Sequence, residues 1–198
     1  MSRRRIVLAS NNAAKLREMS TLLHGSAWGL VAQGELGVGA AEEPHLTFLE
    51  NALAKARHAS ALTEMAALAD DSGICVDALN GAPGVLSARF AGDSANDQSN
   101  NAELLRRLAG VTGRQAHYTC VLVAVRTAGD AEPLIVDARW YGEIAQAPRG
   151  DGGFGYDPLF YLPNLGVTAA ELDPAHKNRI SHRGLALQAL AQKMVDWS

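Results

Sequence analysis

The stretch Leu68-Ala69-Asp70-Asp71-Ser72-Gly73 places two neighbouring carboxylates directly after an apolar run. Buried carboxylates are costly unless a cation pairs with them. Mg2+ commonly takes one or two carboxylates together with the phosphate oxygens of a ligand. Neighbours on an extended chain point to opposite faces, so Asp70 and Asp71 are expected to differ, one facing a cleft and the other the structure. An Asp-Asp-Ser-Gly turn is the plain alternative. Glu42 and Glu43 add further acid, which a solvated loop explains equally well.

Two basic regions complement these acids. In LASNNAAKLRE an apolar segment ends, a polar turn follows and a helix starts with Lys15 in its first turn. Helix N-termini offer free N–H groups and positive potential to phosphate. The competing reading is that Asn11 or Asn12 only caps the helix and Lys15 is solvated. The segment is not a P-loop, because G-x-x-x-x-G-K-[ST] is absent. In AHKNRISHRG, Lys177, Arg179, His182 and Arg183 gather positive charge before and within the start of the last helix, where a negative partner would relieve the unfavourable dipole. Ser181 capping that helix with the basic groups in water is the alternative. Acids and bases together suit a metal–polyphosphate site.

Within RGDGGFGYDPLF, Gly150, Gly152 and Gly155 satisfy the spacing G-x-G-x-x-G. A dinucleotide fingerprint needs a strand directly before it and a helix directly after it. Pro148 precedes the stretch, while Pro158 and Pro163 follow and oppose a helix. The glycines are therefore expected to serve a loop with positive φ at several positions, carrying Phe, Tyr and Asp toward a flat ligand.

The elements that position these residues follow from periodicity and turn chemistry. Strands are expected at Arg5 to Ala9, Trp28 to Gln33 and Ala66 to Ala69, with Ile74 to Leu79 a separate extended segment after a DDSG turn. His117 to Thr127 and Leu134 to Tyr141 are the longest strand candidates and suggest a hairpin. Helices are expected over Lys15 to Leu23, with Leu16, Met19, Leu22 and Leu23 on one face, from Thr47 through a capping box with Glu50, over Asn100 to Ala109, and over Ser181 to Trp197. NGAPG is a strong turn. This order implies an α/β fold with a mixed sheet in a single domain, residues 1–198.

Composition narrows the function. The chain has 198 residues and a net charge of -3, with 47% hydrophobic and 20% charged residues. That argues against a nucleic-acid polymer as partner but not against a small anion. Cys75 and Cys120 lie in apolar runs without C-x-x-C, as expected of reduced core thiols in a cytoplasmic protein. No apolar run is long enough for a membrane span. Ile6 to Ala9 is too short for a signal peptide.

Taken together, SNNAAKLRE, EEPHLTFLENALAKA, ADDSG, GAPGVLSAR, GGFGYDP and SHRG, in this order from about Ile6 to Leu190, resemble the Ham1/RdgB-type inosine triphosphate pyrophosphatase family. The resemblance implies an elongated two-lobed α/β fold with a central cleft, a homodimer and Mg2+ dependence. It implies hydrolysis of ITP, dITP and XTP to the monophosphate and pyrophosphate, cleansing the nucleotide pool. By resemblance, Ser10, Asn11, Asn12, Ala13, Ala14 and Lys15 contact the triphosphate, and Asp71 is the catalytic acid/base position and a metal ligand. Glu43 is a second metal position, and Ser72 touches substrate. Phe154, Gly155, Tyr156, Asp157, Lys177, His182 and Arg183 form the base and sugar pocket. Asn11 and Ala14 stand where the family often has glycine. The sequence leaves open whether Asp71 takes a proton from water or only holds metal. Other modified nucleotides as substrates, and a nucleotide sensor without turnover, are the alternatives.

Overall fold

A computed structural model of the protein describes residues 4–22, 28–195 and 197, without the side chains of residues 14 and 22. Its elements in chain order are β1 (Arg4–Leu8), α1 (Ala13–Leu22), β2 (Trp28–Ala32), α2 (Phe48–Thr63), β3 (Ala67–Val76), α3 (Asp97–Arg107), β4 (Gln115–Val125), β5 (Leu134–Ile144), β6 (Phe160–Leu162), β7 (Val167–Thr168), α4 (Pro174–Ile180) and α5 (His182–Lys193). The strands form an open seven-stranded sheet in the order β2-β1-β3-β4-β5-β6-β7, with helices packed against it. β1 pairs in parallel with β2 and with β3, whereas β6 is antiparallel to β5 and to β7. The sheet is mixed, as expected.

The described residues divide into two compact units. The first comprises 1–71, 120–138 and 183–198; the second comprises 72–119 and 139–182. In the first unit, strand alternation sorts the core into two layers. Ile6, Leu8, Leu68 and Leu122 pack with Met19 of α1 and with Ala186, Leu187 and Leu190 of α5. The intervening Val7, Ala67, Ala69, Val121 and Val123 pack against Ala52, Ala56 and Ala59 of α2. Strands buried on both faces read as continuous apolar runs rather than alternating ones, which explains RIVLA and CVLVAV. The core of the second unit is aromatic: Tyr118, Trp140, Tyr156 and Phe160 join Ile74, Leu104 and Leu159.

The Thr47 capping box forms as expected, with Glu50 N–H donating to Thr47 Oγ1 (3.2 Å) and Thr47 Oγ1 donating to Glu50 Oε2 (2.6 Å). Three expectations are corrected. Asp70-Asp71-Ser72-Gly73 is not a turn: it runs inside β3, which is continuous from Ala67 to Val76. The place of β3 inside the sheet, between β1 and β4, and the cations described below outweigh local turn propensity there. The basic stretch 175–180 is helical rather than a lead-in. Asp173 caps α4 by accepting from Ala175 N–H (3.0 Å) and His176 N–H (3.1 Å), and Pro174 opens it. The last helix runs from His182 and stops at Lys193, short of Trp197. Leu23 and Asp196, expected to be helical, lie outside the described residues.

Candidate active site

In the first unit, β1 delivers the chain to a short turn that caps its own helix. Asn12 N–H donates to Ser10 Oγ (3.2 Å), and Asn12 Oδ1 accepts Lys15 N–H (3.1 Å). Ser10 is half-buried, while Asn11, Asn12 and Ala13 are exposed. Asn11 does not take positive φ, and Ala14 lies inside α1, so neither position requires glycine here.

β3 sends its adjacent carboxylates to the two layers. Asp70 falls on the Leu68 side, facing α1 and α5. Its fully buried carboxylate accepts from Lys15 Nζ, from Arg183 Nε (3.3 Å) and from Cys120 Sγ (3.2 Å). Arg183 continues to Glu18, closing a buried chain Lys15–Asp70–Arg183–Glu18. Burial alone would raise the Asp70 pKa, but the charges of Lys15 and Arg183 overcome it and hold the carboxyl well below the usual range.

Asp71 falls on the Ala69 side, facing α2. Its carboxylate accepts from Lys55 Nζ (2.8 Å) and from Asn51 Nδ2 (3.5 Å). Lys55 Nζ also donates to Glu43 Oε1 (2.9 Å). Asn51 in addition grips the loop that carries Glu43, accepting His45 N–H (3.1 Å) and donating to His45 C=O (3.2 Å). Burial pushes the Asp71 carboxyl up, and Lys55 only partly opposes it. Two adjacent carboxylates whose surroundings drive their pKa values apart have the character of an acid/base site. Glu43 and Asp71 converge on one cationic nitrogen, whereas Glu42 is exposed. Among the described residues no cluster of three or more His, Cys, Asp or Glu is present. A pair of carboxylates fits Mg2+, which keeps waters and phosphate oxygens as its other ligands.

The second unit holds the glycine loop. Gly150, Gly153 and Gly155 have φ of 78°, 73° and 63°, as expected. A Cβ on Gly152 would stand 2.7 Å from Ala170 O, and one on Gly153 would collide with Asp157. No strand directly precedes the loop and no helix directly follows it, so the fingerprint reading fails structurally. Asp157 is buried at the centre. Its Oδ2 accepts Phe154 N–H (2.8 Å) and Lys177 Nζ (2.7 Å), and Lys177 Nζ lies 4.9 Å from the centre of the Phe154 ring. Tyr156 points inward and donates its hydroxyl to Ser87 C=O (2.8 Å). The His182 ring stacks on Tyr118 at 4.5 Å and 5°. Ser72 is half-buried in β3.

The expected site residues therefore fall into two groups. Ser10 to Lys15, Glu43, Asp71 and Arg183 belong to the first unit; Ser72, Phe154 to Asp157, Lys177 and His182 belong to the second. In the first, Glu43 meets Asp71 through Lys55 and Lys15 meets Arg183 through Asp70, on opposite sides of the sheet; in the second, Phe154, Asp157 and Lys177 meet. Lys55 and Asn51 were missed by sequence reasoning, although a signal existed: both share the buried face of α2 with Ala52, Ala56 and Ala59.

The sequence pattern of the Ham1 family matches residues 6–193. The chain belongs to the Ham1 family. It is 60% identical over 194 residues to a dITP/XTP pyrophosphatase of Ralstonia nicotianae, covering 96% of each chain. A protein of the same name from Burkholderia pseudomallei is 60% identical over 196 residues, covering 98% of this chain and 94% of that one. Among solved structures, a HAM1 protein of Coxiella burnetii superposes with a TM-score of 0.92 at 47% identity, over 98% of this chain and 99% of that one. A nucleoside-triphosphatase / dITP/XTP pyrophosphatase of Mycobacterium abscessus gives 0.75 at 44% identity, over 94% and 98%.

Proposed function

We propose that this Ham1 protein is a hydrolase that cleaves non-canonical purine nucleoside triphosphates, dITP, ITP and XTP, to the monophosphate and pyrophosphate. The observation that carries the reading is the Asp71 carboxylate, raised by burial and held in place by Lys55 and Asn51 beside Glu43. The names of its relatives support the substrate class.

Asp71 accepts a proton from the attacking water. The water oxygen bonds to the α-phosphorus, and the bond to the bridging oxygen breaks with pyrophosphate leaving. A raised carboxyl pKa makes Asp71 a stronger base. Lys55 holds Asp71 and Glu43 in register, and Lys15 brings positive charge beside the helix start at Ser10 to Ala14, where the positive end of the α1 dipole favours phosphate oxygens. Mg2+ held by Asp71 and Glu43 would supply further charge neutralisation at the polyphosphate. Phe154, with Lys177 against its ring, and the Asp157-pinned loop take the base, with Ser72 and His182 as further contacts. Buried Asp157 and inward-facing Tyr156 act by shaping that loop. We further propose a cytoplasmic homodimer. No described helix is long and apolar enough to cross a membrane.

The test is phosphate release coupled to an inorganic pyrophosphatase over a nucleotide panel. Turnover of ITP, dITP and XTP well ahead of ATP and GTP is expected, abolished by EDTA and restored by Mg2+. Equal turnover of all purines, preference for modified pyrimidines, or binding without turnover would each replace the reading. Light scattering on the eluted protein checks the dimer.

A further inference from the structure

The segment GAPGVLSAR and the helix after it have no part in the chemistry above, yet α3 holds the glycine loop at both backbone polar groups of one residue. Gly155 N–H donates to Asp97 Oδ2 (2.6 Å), and Gly155 C=O accepts Asn101 Nδ2 (2.8 Å). Asp97 and Asn101 are one helical turn apart, the spacing at which two side chains meet a common partner. The same Asn101 Nδ2 also donates to Asp97 C=O (2.7 Å). Both amide hydrogens therefore lie on carbonyl oxygens, which settles the orientation of the amide. The first turn of α3 is itself fixed by a capping box: Asn96 Oδ1 accepts Ser99 N–H (2.9 Å), and Ser99 Oγ accepts Asn96 N–H (2.9 Å).

The neighbouring Asn100 points the other way and is buried. Its Nδ2 donates to Ala88 C=O (3.1 Å), and its Oδ1 accepts Ala91 N–H (2.9 Å). It thereby fixes the segment whose Ser87 C=O receives the Tyr156 hydroxyl (2.8 Å). Two consecutive loop residues, Gly155 and Tyr156, are thus anchored to α3, one directly and one through the 84–91 segment. Phe154 immediately precedes them.

We infer that Asp97 and Asn101 are positioning residues for nucleobase selection, setting the Gly155 peptide and with it the presentation of Phe154. This rests on the proposed assignment of the base to the 154–157 loop. A loop held through the two peptide groups that flank one residue keeps its shape before the ligand arrives, so binding does not have to order it.

The experiment compares Asp97→Ala, Asn101→Asp and Phe154→Ala with the parent enzyme, and uses Asp97→Asn as the conservative partner. Asn101→Asp keeps the shape but turns an oxygen on both carbonyls. For Asp97→Ala and Asn101→Asp, KM for ITP is expected to rise about tenfold with kcat within about twofold, as fits the loss of one charge-assisted or misdirected hydrogen bond. The ITP-to-ATP ratio of kcat/KM should shrink, and hydrogen exchange in peptide 150–157 should quicken. Asp97→Asn should recover most of the selectivity. If Phe154→Ala shrinks the ratio while both α3 variants leave it at the parent value, the positioning role is wrong and the base-loop assignment stands. If Phe154→Ala leaves the ratio unchanged, the base-loop assignment fails and this inference falls with it. Asp97 is exposed, so its variants are suited to the test even if Asn101→Asp fails to fold. Equal losses for ITP and ATP in Asp97→Ala overturn the inference.

Discussion

The two compact units hold their functional side chains by different physics. In the first, carboxylates of one strand are distributed to opposite sides of the sheet and held by cations from helices: Asp70 by Lys15 and Arg183, Asp71 by Lys55. In the second, positions are set by backbone conformation and ring packing, together with the buried ion pair Lys177–Asp157. Fixed charges stabilise a charged transition state because they need no reorganisation during reaction. Shape and satisfied hydrogen bonds discriminate one base from another. Substitutions in the first unit should therefore change rate, and those in the second should change selectivity.

The largest effect is expected for Asp71→Asn, which keeps the shape and removes the base. It should lower kcat by about 10²–10⁴-fold, with the ITP-to-ATP ratio unchanged. Steady-state kinetics with both nucleotides checks this, and a near-parent kcat would move the base elsewhere. Arg183→Ala comes next, and it sharpens the comparison by separating stability from chemistry. Arg183 is almost wholly buried between Asp70 and Glu18. Its loss takes one of two cations from the buried Asp70 carboxylate, costing about 3–5 kcal/mol, visible in denaturant unfolding. A change in base selectivity without loss of stability would restore a base-reading role for Arg183.

Lys55→Met should cost about 10²-fold in kcat/KM, on the scale of losing one electrostatic contact. It also carries a pH signature. Lys55 is the main opposing influence on a carboxyl that burial pushes up, so its removal should move the acidic limb of kcat/KM to higher pH. An acidic limb that stays in place would mean Asp71 is not the group that limb reports. The smallest effect is expected for Phe154→Ala: about tenfold in kcat/KM for ITP, carried by KM, from a lost stacking surface. If kcat falls instead, the division of labour between the units breaks down.

What the sequence made legible was local or strongly patterned. The Thr47–Glu50 capping box, the apolar runs of β1 and β4, and the positive-φ glycines each depend on near neighbours or on a simple period. What it hid depended on distant partners. Asp70-Asp71-Ser72-Gly73 read equally as a turn, because no local feature announces that Lys15, Lys55 and Arg183 will arrive from 55, 16 and 113 residues away. β6 and β7 are three and two residues long and carry no detectable period. Lys55 stands in an alanine-rich helix whose sequence does not announce the two carboxylates that its ammonium reaches. Of Glu42 and Glu43, between which the sequence left the choice open, Glu43 is the one that reaches Lys55.

The discontinuity of the first unit has a consequence for biosynthesis. Its core needs three separated stretches of chain, the last beginning at Arg183, and α5 supplies Ala186, Leu187 and Leu190 to the layer under Ile6, Leu8 and Leu68. During vectorial synthesis the second unit has all its residues once His182 emerges, whereas β1, made earlier, waits for α5. Until then its apolar face and the Asp70 carboxylate lack their closing partners, including Arg183. Partly made chains with exposed apolar strands are prone to aggregate. A nascent chain stalled before residue 183 should therefore engage chaperones and stay protease-sensitive around β1 and β3, and emergence of residues 183–198 should complete that core.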